Sequence, residues 1–347
     1  MENKRILTVN PVPAKTWYWL KMNHRKVKVS TDSIEITPSV FTSSDDLSGV
    51  YADALSELIG GAGAEADALV SENVTSPLCF SSQENSLVRL FYRFKGHRLE
   101  VSRVGLTVPE GCSMVCVMDY QSAANPGEAL VQTKVLIEKN AHLTLVQVHR
   151  IGDSFHLMTD IAGKVEENGR LDLITLVTAG KENDLGYRVE LAGKNAHAEL
   201  STGYVAAADH ELDFNYYIPQ SGKMTTCQIR ADGVLRDHAK KVFRGTIDFL
   251  RGSAGARSAE RENVLLIDDT VVNQTLPVIL CSEEDVEGAH GASIGKLDDS
   301  LLFYLQSRGL PIPVIYEMMA KARLSAVAAL IPDDEFRKEM EDYLERN

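Results

Sequence analysis

From about residue 86 to residue 292, short segments with alternating apolar side chains follow one another, separated by Gly, Asn and Asp. Alternation of this kind predicts β-strands that bury one face, and the polar interruptions predict turns. Long helical periodicity is absent from this part of the chain, so the pattern predicts a mainly β protein. The strand-like segments are SLVRLFYRF, ALVQTKVLIE, HLTLVQVHRI, RLDLITLV, GYRVELAG and KVFRGTIDFL.

An internal repeat runs through these segments. Asn140, Asn168 and Asn195 each begin a stretch of the form Asn-x-x-apolar-x-apolar, and they are 28 and 27 residues apart. Asparagine suits the corner of a coil because it tolerates a left-handed backbone and can bond to its own backbone. A fixed period of about 20 to 50 residues is typical of repeat architectures. The repeat favours a parallel β-helix, or solenoid, over an antiparallel sandwich in which the asparagines align by chance.

The N-terminal residues carry less regular patterns. The first 40 residues predict a short extended segment bounded by prolines. Apolar residues at helical spacing predict a helix from about Asp46 to Leu58, which the glycines that follow would end. A stretch of small residues then reaches about Val74.

The C-terminal residues predict three helices. Asp298 can cap the first and Gly309 can close it. The second runs over 314–330 and the third, which is highly charged, over 334–346. Three parts are therefore expected: an N-terminal extended and helical segment (1–75), a parallel β-helix core (76–297) and a C-terminal three-helix domain (298–347).

Composition narrows the class of protein. The 347 residues exceed the size at which one core usually stops growing, and 44% apolar with 24% charged residues is ordinary for a folded chain. A net charge of −13 disfavours a general nucleic-acid binder. The sequence contains no apolar run long enough for a membrane span and no signal-peptide core near residue 1. Five cysteines do not form a disulfide framework, so we expect a cytoplasmic location.

Several familiar motifs are absent from the sequence, including a nucleotide-binding loop, HExxH, GxSxG and CxxC. Cys112 and Cys116 would face the same side of a strand, and we interpret them as buried hydrophobic residues rather than a metal pair. His142, His149 and His156 recur every seven residues, which places neighbours on opposite faces of a strand. We interpret them as surface or turn histidines rather than one metal site.

The densest chemistry lies in residues 283–298. Acidic residues precede a run of Gly, Ala and Ser that holds one histidine, His290. Small neighbours let backbone or ligand approach closely, and an imidazole can bind a transition metal or exchange a proton near neutral pH. From the residues alone the favoured alternative is a turn leaving the solenoid, in which His290 satisfies a backbone carbonyl, because one histidine is weak support for a site.

The same segment, read through the next helix, resembles the SufB/SufD family of iron–sulfur cluster assembly proteins, and SufD-like chains in particular. The resemblance is strongest from about 230 to 330, is weak between 45 and 130, and covers most of the chain. The segments that carry it are His-Gly-Ala-Ser-Ile-Gly (290–295), Leu-Phe-Tyr-Leu-x-Ser-Arg-Gly (302–309), Val-Leu-Leu-Ile-Asp (264–268), Val-Phe-Arg-Gly-Thr-Ile (242–247) and Thr-Trp-Tyr-Trp-Leu-Lys-Met-Asn (16–23).

This resemblance implies a parallel β-helix core with a C-terminal helical domain. It implies a non-ATPase scaffold or accessory subunit, not an enzyme, that pairs with a SufB- or SufD-like chain as a homo- or heterodimer and docks a SufC-type ATPase through the C-terminal domain. The cofactor it implies is an iron–sulfur cluster held transiently in the assembled complex. The expected partner-binding residues are Leu302, Phe303, Tyr304, Arg308, Tyr316 and Met319.

Two family positions can be placed on this sequence. His290 matches the interface histidine of SufD-like chains, which implies an iron or cluster ligand. SufB-like chains carry a scaffold cysteine just before the Val-Leu-Leu-Ile segment, where Arg261, Glu262 and Asn263 stand here, so the SufD-like role is favoured. We interpret Cys281, nine residues before His290, as a buried thiol.

Two other classes stay open at this stage. One is a β-helix enzyme that acts on acidic polysaccharide, although a net charge of −13 would repel a polyanion. The other is a purely structural or adaptor solenoid. Co-purification with an ATPase would favour the assembly subunit over both.

Overall fold

The computed structural model describes residues 4–43 and 53–346, and it shows a parallel β-solenoid of about eight turns with a C-terminal helical region. The strands are β1 (Lys4–Val9), β2 (Arg25–Ser30), β3 (Ser33–Glu35), β4 (Ser39–Thr42), β5 (Leu78–Ser81), β6 (Asn85–Phe94), β7 (Leu99–Val108), β8 (Ser113–Ser122), β9 (Gly127–Ile137), β10 (His142–Arg150), β11 (Phe155–Val165), β12 (Arg170–Ala179), β13 (Glu182–Leu191), β14 (His197–Ala206), β15 (Glu211–Gln220), β16 (Thr226–Leu235), β17 (Lys240–Phe249), β18 (Ala256–Leu266), β19 (Val272–Cys281) and β20 (Val286–Gly295). The helices are α1 (Asp53–Ser56), α2 (Ala64–Asn73), α3 (Asp299–Ser307), α4 (Ile312–Ala328) and α5 (Asp334–Arg346), and a 3₁₀ turn covers Tyr18–Leu20.

Consecutive strands alternate between two facing sheets. The even-strand sheet runs from β6 to β20 and the odd-strand sheet from β7 to β19, and neighbours within these runs are parallel. The short strand β4 adds to β6 in antiparallel fashion, whereas β3 and β5 pair with β7 in parallel. The inner faces of both sheets enclose one continuous apolar core. The predicted mainly β class and solenoid are therefore confirmed, and the sandwich alternative is wrong.

The repeated asparagines stand at the corners of the coils, as the sequence predicts. Asn140, Asn168 and Asn195 have φ of 56°, 54° and 59°, in the left-handed region. Their side-chain amides form a ladder, because Asn168 donates to Asn140 at 2.9 Å and Asn195 donates to Asn168 at 3.0 Å. Met224 has a φ of 56° at the corresponding corner of the next coil.

The N-terminal residues cover the outer face of the odd-strand sheet. Strands β1 and β2 form an antiparallel pair, whose apolar side chains pack with α2 against β7, β9 and β11. The sequence pattern did not predict α2, whose apolar stripe of Ala66, Leu69 and Val70 is short and gains its stability from this packing. Most of the helix predicted over residues 46–58 lies outside the described residues, and the described part contains α1.

The first C-terminal helix, α3, begins and ends as its capping residues predict, whereas α4 lies two residues earlier than the predicted 314–330. The Asp298 carboxylate accepts hydrogen bonds from the amides of Ser300 and Leu301, and Gly309 has a φ of 88° beyond the end of α3. Helices α4 and α5 pack on the outer face of the even-strand sheet. Among the described residues, no helix is long and apolar enough to cross a membrane.

Candidate site at the open end of the solenoid

The solenoid is open after its last coil. Strands β19 and β20 are the terminal strands of their sheets, so each pairs on one side only within the described chain. The inward-facing side chains of β18 are buried by β20, whereas those of β20 have no further coil above them and are exposed. An inward side chain of β20 therefore lies at the mouth of the solenoid, within reach of another molecule.

His290 is one of these inward side chains. A Cβ atom built on Gly288 would lie 3.0 Å from the Phe249 ring inside the solenoid, and His290 is two residues further along the same strand. Residues two apart on a strand share a face, so His290 faces the same interior. Its Cα partner on β18 is the buried Glu260. The alternative of a turn around His290 is wrong, because residues Val286–Gly295 form strand β20, which pairs in register with β18.

The column of inward side chains that ends at His290 changes from apolar to ionisable at the last two coils. In-register pairing places one inward residue from each even strand in this column. From the first coil to the last, the column reads Val88, Cys116, Leu145, Leu173, Leu200, Ile229, Glu260 and His290.

A buried ion pair lies in the coil next to the mouth of the solenoid. Glu262 forms an ion pair with Lys241, and both side chains are almost fully buried. The hydroxyl of Thr275, on the last odd strand, donates to Glu262 Oε2 at 2.7 Å. Gly245 leaves the space that the Glu260 carboxyl occupies, because a Cβ at that position would collide with it.

Two ionisable side chains near the mouth have pKa values that differ from those of solvent-exposed groups. Burial raises the pKa of Glu260 to about 8, the nearby Glu262 adds to the increase, and Lys241 opposes it. Burial also lowers the pKa of Lys241, against the attraction of Glu262. Glu260 is therefore a neutral acid near pH 7, which can donate a hydrogen bond or lose its proton when a cation approaches.

Sequence reasoning missed the residues below His290. Glu260, Glu262, Lys241 and Thr275 were not predicted as parts of a site. The available signal was the run Ser258-x-Glu260-x-Glu262-x-Val264, which puts acids at positions that the alternating pattern assigns to the core. In a sheet with one face in the core, such positions are apolar unless the acids are paired.

Cys281 is exposed, so its interpretation as a buried thiol is wrong. It lies at the end of β19, in register with Phe249, and the last coil leaves it uncovered. Its thiol donates to the Glu283 carbonyl at 3.0 Å. Cys116 is buried in the core, as predicted, whereas Cys112 lies just before β8 and is half buried against the core.

The three histidines spaced by seven residues lie in three separate places. His142 is on the outer face of the even-strand sheet, where it is half exposed, as predicted. His149 faces the interior of the solenoid, and His156 is buried beside Asp184 on the odd-strand sheet. Burial lowers the pKa of His149 to about 4. Their interpretation as surface or turn residues is therefore wrong for His149, which faces the core, and for His156, which is buried on the outer face of the odd-strand sheet.

The predicted partner-binding residues lie on α3 and the first half of α4. Phe303 and Tyr304 are 73% and 52% exposed, and the Arg308 guanidinium lies 5.3 Å from the Tyr304 ring centroid. Helix α3 contains no buried residue. Leu302, Tyr316 and Met319 are half buried at the base of this surface.

The fold and site define a solenoid protein with an acidic, histidine-bearing open end and an exposed apolar helical tail. A family model described as "SUF system FeS cluster assembly, SufBD core domain" matches residues 92–323, well over half of the chain. The chain belongs to this family.

Relatives with curated names agree with the family model. The chain is 23% identical over 248 residues to the iron–sulfur cluster assembly protein SufD of Bacillus subtilis, covering 71% of this chain and 57% of that protein. It is 22% identical over 199 residues to a SufBD family iron–sulfur cluster assembly protein of Mycobacterium tuberculosis, covering 57% of this chain and 24% of that protein. A Staphylococcus saprophyticus SufBD family protein is 21% identical over 250 residues, 71% of this chain and 53% of that protein. The chain thus matches less than two thirds of the length of each.

Proposed function

We propose that this protein is a SufD-like, non-ATPase subunit of a cytoplasmic iron–sulfur cluster assembly complex. It pairs through the open end of its solenoid with a SufB- or SufD-like chain, and its C-terminal helices dock a SufC-type ATPase. The iron–sulfur cluster is cargo that forms in the assembled complex and then leaves. Family membership supports this proposal over a polysaccharide-active enzyme or a passive adaptor.

The observation that carries the proposal is the uncovered last coil with His290 at its mouth. Edge strands of natural sheets are normally covered or blocked, because their free backbone groups pair readily with another strand. Here β20 is rich in Gly, Ala and Ser, so a second chain can approach its backbone closely. Pairing at this edge would bring a partner's side chains next to His290.

The ligand set also points to a shared site. Imidazole nitrogen suits iron, and thiolate sulfur suits iron–sulfur clusters. Within the described residues, His290 belongs to no trio of His, Cys, Asp or Glu side chains close enough together to hold a metal. His290 would therefore supply one ligand, and the partner chain would supply the others, including the thiolate.

The position of the family's scaffold cysteine supports the SufD-like role. Of the three residues there, Arg261 is exposed, Asn263 is half buried and Glu262 is buried in its ion pair with Lys241. A carboxylate engaged in this way cannot replace a thiolate as a nucleophile or soft ligand. The chain would thus contribute to a site whose sulfur chemistry belongs to its partner.

The experiment that tests this function is anaerobic co-expression with a SufB-like chain and a SufC-type ATPase, followed by iron and sulfide analysis of the purified complex. We expect the complex with His290→Ala to stay intact. Its affinity for iron and sulfide should fall at least about tenfold, since loss of even an outer-sphere partner of a metal typically lowers the affinity that much. The matched control is His238→Ala, which removes an exposed turn histidine.

Two results would contradict the proposal. If the His290→Ala complex holds as much iron and sulfide as the His238→Ala complex, His290 is not part of the site. If no ATPase co-purifies with the wild-type chain, the adaptor interpretation replaces the assembly subunit.

A further inference from the structure

We propose that the outer face of the even-strand sheet carries a separate binding site for one divalent transition-metal ion of the Zn²⁺ or Fe²⁺ type. The ligands are Asp172 on β12 and His197 and Glu199 on β14. This site is distinct from the open end in position, ligand set and accessibility, and it belongs to this chain alone.

Strand register brings the three side chains together. Asp172 is the Cα partner of Glu199, and Arg170 is the partner of His197, so all four face outward near the start of their strands. One ligand atom from each of Asp172, His197 and Glu199 lies within 4.8 Å of the other two. Each of these three side chains is partly buried, which protects a bound ion without closing the site to water.

The His197 ring is held in the orientation of a metal ligand. Its Nδ1 lies 2.6 Å from Thr226 Oγ1, and with Nδ1 as the donor the lone pair stays on Nε2. Nε2 is buried and makes no hydrogen bond within the protein. A buried acceptor without a protein partner is free to bind an ion or an ordered water.

Charged side chains contact both carboxylates in the free protein, and Arg170 Nε donates to Asp172 Oδ2 at 2.8 Å. Asp172 Oδ2 is 2.7 Å from His142 Nε2, whereas Oδ1 is buried and accepts no hydrogen bond. Glu199 Oε1 accepts from Arg230 at 2.7 Å, and its Oε2 is 3.5 Å from Arg170. One imidazole nitrogen and two carboxylate oxygens, with water at the open positions, suit Zn²⁺, Fe²⁺ or Mn²⁺.

Arg170 occupies the place of the ion in the free protein. Its Nη2 lies 2.7 Å from Asp172 Oδ1, at an angle that makes an ion pair but no hydrogen bond. The Arg170 side chain is 44% exposed, so it can move into solvent when a cation binds. Arg170 and the ion therefore compete for the same oxygen, and removal of Arg170 should strengthen metal binding.

The site is independent of His290. His290 faces inward on β20, three strands beyond β14 in the same sheet, which corresponds to about 14 Å along the solenoid axis. Asp172, His197 and Glu199 face outward. A single ion cannot bind to both sets of ligands, so loss of one site leaves the other intact.

The test is calorimetric titration of Zn²⁺ into the full chain, with Co²⁺ absorption as a spectroscopic probe and Cys281→Ser as the background, because Cys281 is an exposed thiol. We expect His197→Ala and Glu199→Gln each to lose one equivalent of ion, and His290→Ala and His238→Ala to keep it. Bound Co²⁺ should show ligand-field bands without thiolate charge transfer. Arg170→Gln should bind Zn²⁺ about fivefold more tightly or better, since a competing positive charge is removed.

Because two ligand variants are tested, His197→Ala and Glu199→Gln, the test stays valid if one of them does not fold. Glu199→Gln preserves size, and we expect Zn²⁺ to raise the unfolding temperature of wild type but not that of this variant. The proposal fails if both His197→Ala and Glu199→Gln keep the equivalent, or if His290→Ala loses it. A Co²⁺ spectrum dominated by thiolate charge transfer would equally overturn it.

Discussion

At the scale of single residues, the open end is where this protein departs from an apolar core. Glu260 replaces the aliphatic residues of its column, and it has Glu262 beside it rather than a cation of its own. The folded state keeps this carboxyl protonated at pH values where the unfolded chain releases the proton. The difference is a cost to folding that grows as the pH rises.

We predict that Glu260→Gln removes this cost. The pKa of Glu260 rises from 4.5 to about 8 on folding, so the folded chain alone holds the proton between these values, and wild-type stability falls with increasing pH across that window. Between pH 5 and pH 8, the free energy of unfolding should fall by about 3 kcal/mol more for wild type than for the variant, as measured by urea unfolding. Asp160, whose pKa of about 7 acts in the same direction, is common to both chains.

Glu110→Gln is the control, because Glu110 is an exposed turn residue. It should follow the wild-type pH profile. Identical profiles for Glu260→Gln and wild type would show that the Glu260 carboxyl is already ionised in the folded protein.

The sequence could predict the solenoid but only one residue of its open end. The coil could be predicted from Asn140, Asn168 and Asn195, because a corner with a left-handed backbone accepts few residue types. His290 was found because a histidine among small residues is conspicuous. The exposure of Cys281 could not be predicted, since it depends on which coil is last, and a local pattern does not show where stacking stops.

At the scale of elements, the residue composition of a segment can favour one type of secondary structure while its neighbours in the fold impose another. Strand β20 is Val-Glu-Gly-Ala-His-Gly-Ala-Ser-Ile-Gly, which has the composition of a turn, yet it extends in register along all of β18. Conversely, α3 has a clear cap and an apolar face but packs few of its side chains. An element that forms without burying its apolar face requires a partner to cover that face.

We predict that Phe303→Glu weakens binding of the SufC-type ATPase at least about tenfold, because Phe303 is a large apolar side chain of the size typical of interface hot spots. Phe303 is 73% exposed on a helix without buried residues, so the change leaves the fold intact. Pull-down and calorimetry with the purified ATPase provide the measurement. Leu330→Glu is the matched control, since Leu330 is 50% exposed just beyond the end of α4. Equal weakening by both variants would mean that added charge, not the α3 surface, governs binding.

At the scale of the whole molecule, the two ends of the solenoid differ in whether other strands of the chain cover them. At the first end, β4 pairs with β6 and both β3 and β5 pair with β7, whereas the last coil ends in two strands that no further strand of the described chain covers. The inner positions of β20, which are Gly288, His290 and Ala292, have buried neighbours below and solvent above. A second solenoid placed against this end would continue both sheets and enclose His290 between the two chains.

We predict that Ala292→Arg prevents this pairing without unfolding the chain. Ala292 is exposed, so an arginine there extends into solvent in the free protein but into the partner's last coil in the dimer. Sedimentation of the chain, alone and mixed with a SufB-like partner, should show association at least about tenfold weaker, because an unpaired buried cation is costly. Asn125→Arg, which adds the same charge at an exposed turn, should associate like wild type. If Ala292→Arg also associates like wild type, the partner binds elsewhere, and His290 faces solvent in the assembled complex.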